Sequence, residues 1–181
     1  MNLHFANFPV LKTARLVLRQ LVADDAADIH RLRADPAVNA FIGRPNSASM
    51  EDARKHIRSV NTSVDNRESL YWAIDLQGNS GLVGTICYWN FDLAHETVEI
   101  GYEMLPEFQG RGLMQEAAQR VIAYGFGDMD VKTITAFPST DNVRSVALLE
   151  KLHFKADTGS FAHTHGNVDN LATYVLTPAS W

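Results

Sequence analysis

The stretch TVEIGYEMLPEFQGRGLMQEA, residues Thr97 to Ala117, constrains the fold more than any other part of this 181-residue chain. Its first half reads as a strand, Thr97–Leu105, because β-branched and aromatic residues alternate with polar ones. A short loop carrying Gly110 and Gly112 then opens a helix: Leu113, Ala117, Val121 and Tyr124 recur at helical spacing to about Gly127. The short apolar run KTITAF follows as a further strand. The helix and this strand form the one clear crossover unit in the chain, which is expected to be right-handed.

A loop of this kind at the start of a helix can hold an anion. The first-turn N–H groups have no partner within the helix, and the macrodipole places partial positive charge there. Glycines let a phosphate approach the backbone without a Cβ in the way, and Arg111 adds a fixed charge. The loop fits neither familiar nucleotide pattern. No Gly-Lys-Ser/Thr closes it, and the third glycine of a dinucleotide fingerprint would fall at Gln115. Taken alone, it serves equally well as a phosphate cradle or as a turn.

The rest of the chain supplies the context. ARLVLRQL (Ala14–Leu21) alternates as a strand, and ADDAADIHRLRAD reads as a helix with Asp24 as N-cap, ending before Pro36. SMEDARKHIRSVNT is a second helix, capped by Ser47 or Ser49. Strands are expected at Leu70–Leu76 and Gly81–Phe91, with QGNSG as the hairpin turn between them. NVRSVALLEKLHF is a last helix, and KADTGSFA and LATYVL are closing strands. The order predicts an α/β (α+β) fold: one mixed, mostly antiparallel sheet of about seven strands flanked by about four helices. No linker or repeat divides the chain, so residues 1–181 are expected to be one domain, with residues 14–177 as its core. The aromatics Tyr71, Trp72, Tyr88, Trp89 and Phe91 cluster on the central strands, mostly as core.

Composition narrows the function. The lone cysteine, Cys87, excludes an internal disulfide and reads as a small buried hydrophobe. A net charge of −5 spread along the chain lacks the dense basic face of a nucleic-acid binder, so no nucleic-acid partner is expected. No signal-like or membrane-spanning apolar run is evident, which gives the expectation of a cytoplasmic protein with no membrane partner. His163 and His165 flank Thr164, but without a third ligand nearby no metal site is expected.

The spacing Gln109-x-x-Gly112-x-Met114 resembles the Q/R-x-x-G-x-G/A acyl-CoA loop of the GNAT superfamily of N-acetyltransferases. The likeness extends outward. VEIGYEMLPEFQGRGLMQEA is similar to the strand, loop and helix of the ribosomal-protein N-terminal acetyltransferase subfamily. TDNVRSVALLEKLHF resembles its N-x-x-S-x-x-x-L-E-K-x-G-F helix, and RLVLRQLVADDAADIHRL and ADPAVNAFIG its opening segments. Met114 replaces the small last residue of the loop, and His153 replaces the glycine before Phe154. Met114 is expected to offer its backbone N–H and pack its side chain inward. His153 is expected to cost some C-cap geometry, because glycine is favoured there for its positive φ.

The resemblance implies direct transfer of an acetyl group from acetyl-CoA to a primary amine, without a metal. It places the pyrophosphate on the backbone of Gly110, Arg111, Gly112, Leu113 and Met114, with Gln109 as a fixed point of the loop. It places the pantetheine arm along Met104 and Leu105, contacted by Asn142, which also reads as a helix N-cap. Ser145 matches the serine that hydrogen-bonds the leaving thiolate; the tyrosine used by other superfamily members is replaced by Leu149. Glu99 is the candidate base, with Glu103 on the same strand face. Glu116 reads as a first-turn carboxylate complementing the helix dipole. The acceptor is either a peptide N-terminus or a small amine such as a polyamine, an amino acid or a drug, and the chain acts as a monomer or homodimer. A non-catalytic acyl-CoA-binding sensor is the alternative from a different class.

Overall fold

The structure, a computed structural model, describes residues 1–3, 5, 7–78, 81–159, 161, 165 and 170–181. Among them run β1 (Leu11–Lys12), β2 (Leu16–Gln20), α1 (Ala26–Ala34), α2 (Pro36–Asn39), α3 (Met50–Asp65) and β3 (Leu70–Leu76). There follow β4 (Leu82–Asp92), β5 (Thr97–Met104), α4 (Leu113–Gly127), β6 (Thr133–Ala136), α5 (Val143–Lys151), β7 (Lys155–Asp157) and β8 (Thr173–Leu176). The strands form one sheet in the order β1-β2-β3-β4-β5-β6-β8-β7. Every neighbouring pair is antiparallel except β5 and β6, which are parallel and joined through α4.

The expected α/β architecture is present, with two short additions. β1 has two residues, too few to show any periodicity. Pro36 was expected only to end a helix, yet it also begins the one-turn α2, where its missing N–H costs nothing; Asp35 caps that turn through the N–H groups of Ala37 and Val38. Of the two serines expected before α3, Ser49 is the cap, accepting from the Asp52 N–H. Ser47 is instead buried beside His30. The helix expected from an Asp24 cap begins as a short 3-10 turn, Ala23–Asp25. There Asp25 is buried and held by Arg19, which also binds Asp75 on β3. Asn79 and Ser80 of the expected hairpin turn lie outside the described residues, as do Ser160 and Ala162 of the expected strand after Lys155.

Alternation along β3 divides the core. Leu70, Trp72 and Ile74 pack in a cluster with Leu113, Ala117 and Val121 of α4 and Leu149 of α5. Ala73 packs with Ile29 and Leu32 of α1 and Ala53 and Ile57 of α3. The sheet is therefore covered on both faces. Trp72 and Tyr88 are fully buried, and Tyr88 donates to the Val121 carbonyl of α4 at 3.1 Å. This close approach needs Gly125: a Cβ there would lie 2.7 Å from the Tyr88 hydroxyl.

Candidate active site

The parallel pairing of β5 and β6 is short. It covers Thr97–Glu99 against Thr133–Thr135, and beyond Glu99 the strands have no register. β5 stays paired with β4 as far as Met104, and the Leu105 N–H still donates to Val83. In an antiparallel ladder, alternate residues turn their backbone groups toward one neighbour and then the other. Since Leu105 turns toward β4, Ile100, Tyr102 and Met104 turn theirs into the wedge left by β6. Leu105 is spent on both sides, its carbonyl accepting from Phe108. The Met104 carbonyl accepts from the Gln109 side chain at 2.8 Å.

The glycine loop closes one end of this wedge. Gly110 and Gly112 have φ of 73° and 71°, which L residues with side chains adopt at a cost. Gly112 is the N-cap of α4 and supplies no side-chain cap. This leaves the first-turn N–H groups of α4 without a capping side chain, the arrangement at which a helix start can receive an anion. A Cβ on Gly110 would meet nothing within 4 Å. Gln109 anchors the loop from both ends of its amide: its Nε2 donates to Met104 and its Oε1 accepts from Arg144. The Arg111 guanidinium lies over the Phe108 ring. Leu113 is buried and Met114 packs inward against the core.

Sequence reasoning missed Arg15. Its Nη1 donates to the Arg111 carbonyl and its Nε to Glu116, while a Cβ on Gly112 would lie 3.6 Å from its Nη2. Glu116 therefore does more than complement the helix dipole. It also accepts from the Thr13 hydroxyl and the Arg15 N–H, tying α4 to the turn between β1 and β2. Burial would raise its pKa, but the bonds from Thr13 and Arg15 outweigh that and lower it.

A cavity of about 760 Å³ opens along the wedge. On one wall, Asn142 caps α5 by accepting from the Ser145 N–H at 3.1 Å, and both residues line the cavity. The Ser145 hydroxyl is 2.8 Å from the Tyr102 hydroxyl. Burial pushes the Tyr102 phenol up to about 12 despite the Ser145 hydrogen bond, so it stays protonated. No sequence pattern singled out Tyr102, because its partner is 43 residues away.

On the other wall Glu99, buried, receives the Asn90 amide at 2.8 Å on one oxygen and pairs with His165 Nε2 at 2.7 Å on the other. The His165 ring packs between Trp89 and Phe137, with centroids 5.1 and 5.9 Å away. His163 and Thr164 lie outside the described residues. Glu103 does not share this role, since Arg44 grips its carboxylate with both terminal nitrogens. Arg33 and His56 also line this part, 3.5 Å apart. Cys87 faces the cavity rather than the core, and burial first, with the charges of Glu103 and Glu99, pushes its thiol up to about 12. No group of three metal-ligating side chains occurs among the described residues. No described helix is long and apolar enough to cross a membrane.

The acetyltransferase (GNAT) domain family matches residues 15–155. This chain belongs to the GNAT acetyltransferase family. An uncharacterised N-acetyltransferase of Bacillus subtilis, YoaA, is 33% identical over 150 residues, 83% of this chain and 85% of that protein. A spermidine N(1)-acetyltransferase of Vibrio cholerae is 25% identical, covering 78% and 79%. The solved structure of RimL, a ribosomal L7/L12 alpha-N-protein acetyltransferase in complex with coenzyme A, superposes with a TM-score of 0.77 at 18% identity. That match covers 93% of this chain and 98% of that one, and it shows a shared fold.

The protein is thus an acetyl-CoA-dependent N-acetyltransferase, with acetyl-CoA as cosubstrate. Within this GNAT domain, Asn142, Ser145 and Glu99 meet in one cavity. Gln109 to Met114 form the loop outside it, at the N-terminus of α4.

Proposed function

We propose that the cavity is where the acetyl group passes to a primary amine. The observation that carries this reading is that Ser145 and Tyr102 on one side, and Glu99 and His165 on the other, line one wedge, beside the stretch of β5 past Glu99 where its pairing with β6 has ended. The open glycine cradle, the uncapped N-terminus of α4 and the splayed β5 edge fit a pyrophosphate followed by an extended amide-bearing arm. Backbone N–H groups of Gly110 to Met114 would hold the phosphates, with Arg15 and Arg111 adding positive charge. Ile100 and Tyr102, with the N–H of Met104, would hold the arm by backbone pairing, beside Asn142. When bound, acetyl-CoA supplies an activated thioester carbonyl.

The chain's residues then have separable tasks. Glu99 and His165 act as one proton-accepting unit, the buried carboxylate fixing the imidazole, so that an ammonium acceptor can become a nucleophilic amine. An α-amino group, with a pKa near about 8, needs less help than a lysine near about 10.4. Donors on the β5 edge stabilise the oxyanion. Ser145, oriented by Tyr102, donates to the departing sulfur. The size and aromatic lining of the cavity favour a small amine, or the first residue of a peptide, over a broad protein surface.

An acetyl-CoA consumption assay over amino acids, polyamines, drugs and N-terminal peptides tests this. Turnover with at least one amine, abolished by Glu99→Gln with Ser145→Ala, is expected. CoA binding without acetylation of any amine would favour a sensor instead.

A further inference from the structure

We infer that the acceptor is an amine that also carries an anionic group, and that Arg33 is the residue that receives this anion. The inference rests on the active-site reading above and adds the chemical class of the second substrate.

The charges in the cavity are unevenly partnered. Arg44 and Glu103 neutralise each other in a two-pronged ion pair, and the Arg44 Nε is also taken, donating to Asn39. Glu99 faces His165. Arg33 has no carboxylate partner among the described residues. Its guanidinium lies 3.5 Å from His56 Nε2. His56 is held neutral, because burial and then the charges of Arg33 and Arg44 lower its pKa to about 3. Arg33 itself is partly buried, and that burial with the charge of Arg44 lowers its pKa from the usual value. Glu103 acts on Arg33 only at a distance and is already gripped by Arg44. This half-desolvated guanidinium, with a neutral ring as its hydrogen-bond neighbour, is therefore stabilised by an anion that reaches it.

Position makes the pocket dipolar. Glu99 and Glu103 lie on the same face of β5, four residues and so about 13 Å apart along the strand. Arg33 lies toward the Glu103 end: its neighbour His56 packs 5.7 Å from the Tyr71 ring, and Tyr71 donates to Thr85, the register partner of Glu103, whose carboxylate Arg44 holds. An extended acceptor therefore places its amine at Glu99 and a carboxylate or phosphate toward Arg33, with Tyr71, Trp89 and Phe137 lining the way. A polyamine would put its second ammonium against Arg33 and Arg44, a like-charge contact. The spermidine N(1)-acetyltransferase relative is thus similar in sequence, while this pocket has charges that disfavour a polyamine.

Matched trios test the idea, because they hold length constant and change only the far end. One is 6-aminohexanoate, hexylamine and 1,6-diaminohexane; the other is 4-(aminomethyl)benzoate, 4-methylbenzylamine and 1,4-bis(aminomethyl)benzene. Each is measured for kcat/KM and, on the enzyme saturated with CoA, for binding by calorimetry. The amino acid of each trio is expected to exceed the diamine by about tenfold or more, chiefly through KM. Arg33→Gln levels the trio to within about twofold, and Arg33→Lys, which keeps the charge, retains part of the order. Comparing Ala-Glu-Glu with Ala-Gln-Gln peptides shows whether the anion comes from a peptide or a small molecule. A preference for the diamines, no binding by any member, or an order unchanged in Arg33→Gln overturns the inference. Selective carboxylate binding lost in Arg33→Gln, without acetylation of any amine, would retain the subsite and defeat the acetyl-transfer reading instead.

Discussion

The Tyr102 hydroxyl lies 2.8 Å from the Ser145 hydroxyl, joining the splayed strand β5 to helix α5 by a single hydrogen bond across the wedge. Tyr102 thus brings a phenol to Ser145 from β5, while position 149 of α5, a leucine, carries none. Because burial keeps that phenol protonated, it can donate to Ser145 and aim the serine proton at a departing sulfur. Tyr102→Phe is expected to lower kcat about tenfold with little change in the KM for acetyl-CoA, and Ser145→Ala to lower it further. The double variant should be no worse than Ser145→Ala, since the two hydroxyls act in series. Additive losses in steady-state kinetics would show that they act separately.

Glu99→Gln keeps the shape of the buried side chain and its contact with Asn90 while removing the charge that His165 faces. The expected loss is about a hundredfold or more in kcat/KM at neutral pH, with acetyl-CoA affinity unchanged. Raising the pH should recover part of the rate, because a larger fraction of the free acceptor amine is already deprotonated. A pH–rate profile that keeps the wild-type shape would remove Glu99 from proton transfer.

Local patterns were legible where one element carried the whole signal. The strand Thr97–Met104, the loop and the helix Leu113–Gly127 could be read from residues adjacent in sequence, and so could Asn142 as the cap of α5. The contacts that build the site join residues far apart: Tyr102 with Ser145, Glu99 with His165, Arg15 with Glu116. Periodicity cannot show such pairs, because it reports which face a residue occupies and not what meets it there. Glu99 and Glu103 make the point, since both sit on one face, yet Arg44 consumes Glu103 alone. Tyr71 and Trp89 line the cavity while Trp72 and Tyr88 are core, a division set by alternation against which helices cover each face.

Gly112 offers a test of the loop that separates backbone strain from charge. Its φ of 71° makes any side chain there cost about 1 kcal/mol, so Gly112→Ala and Gly112→Glu should lower the Tm by similar amounts. Only the glutamate also sets a carboxylate where phosphates are to bind. Acetyl-CoA affinity should therefore fall modestly in the alanine variant and by more than about a hundredfold in the glutamate one. Equal affinities in the two variants would refute the phosphate cradle.

His56 makes stability depend on pH. The folded chain holds its imidazole near 3, against 6.5 as the ordinary value, so the unfolded chain binds a proton through this window that the folded chain refuses. The stabilisation from the neutral ring is complete above pH 6.5 and drains away as pH falls toward 3, by at most about 1.4 kcal/mol per pH unit. Urea unfolding at pH 7 and pH 4.5 should show a smaller loss in His56→Gln than in the wild type. Identical losses would mean that other groups account for the acid sensitivity.

The end of α5 carries a strain that can be relieved. The His153 N–H donates to the Glu150 carbonyl and the Phe154 N–H to the Leu149 carbonyl, both at 3.0 Å, which is the paired closure of a Schellman motif. That closure requires a left-handed residue, and His153 supplies it with φ of 66° while its side chain stands exposed. A glycine would adopt the same backbone without the Cβ clash, losing some of the gain to its greater freedom in the unfolded chain. His153→Gly is thus expected to stabilise the protein by about 0.5–1 kcal/mol, read as a Tm higher by about 1–4 °C. Because α5 also presents Asn142 and Ser145, kcat and KM should stay as they are; a lower Tm would show that the imidazole makes a contact worth more than the strain.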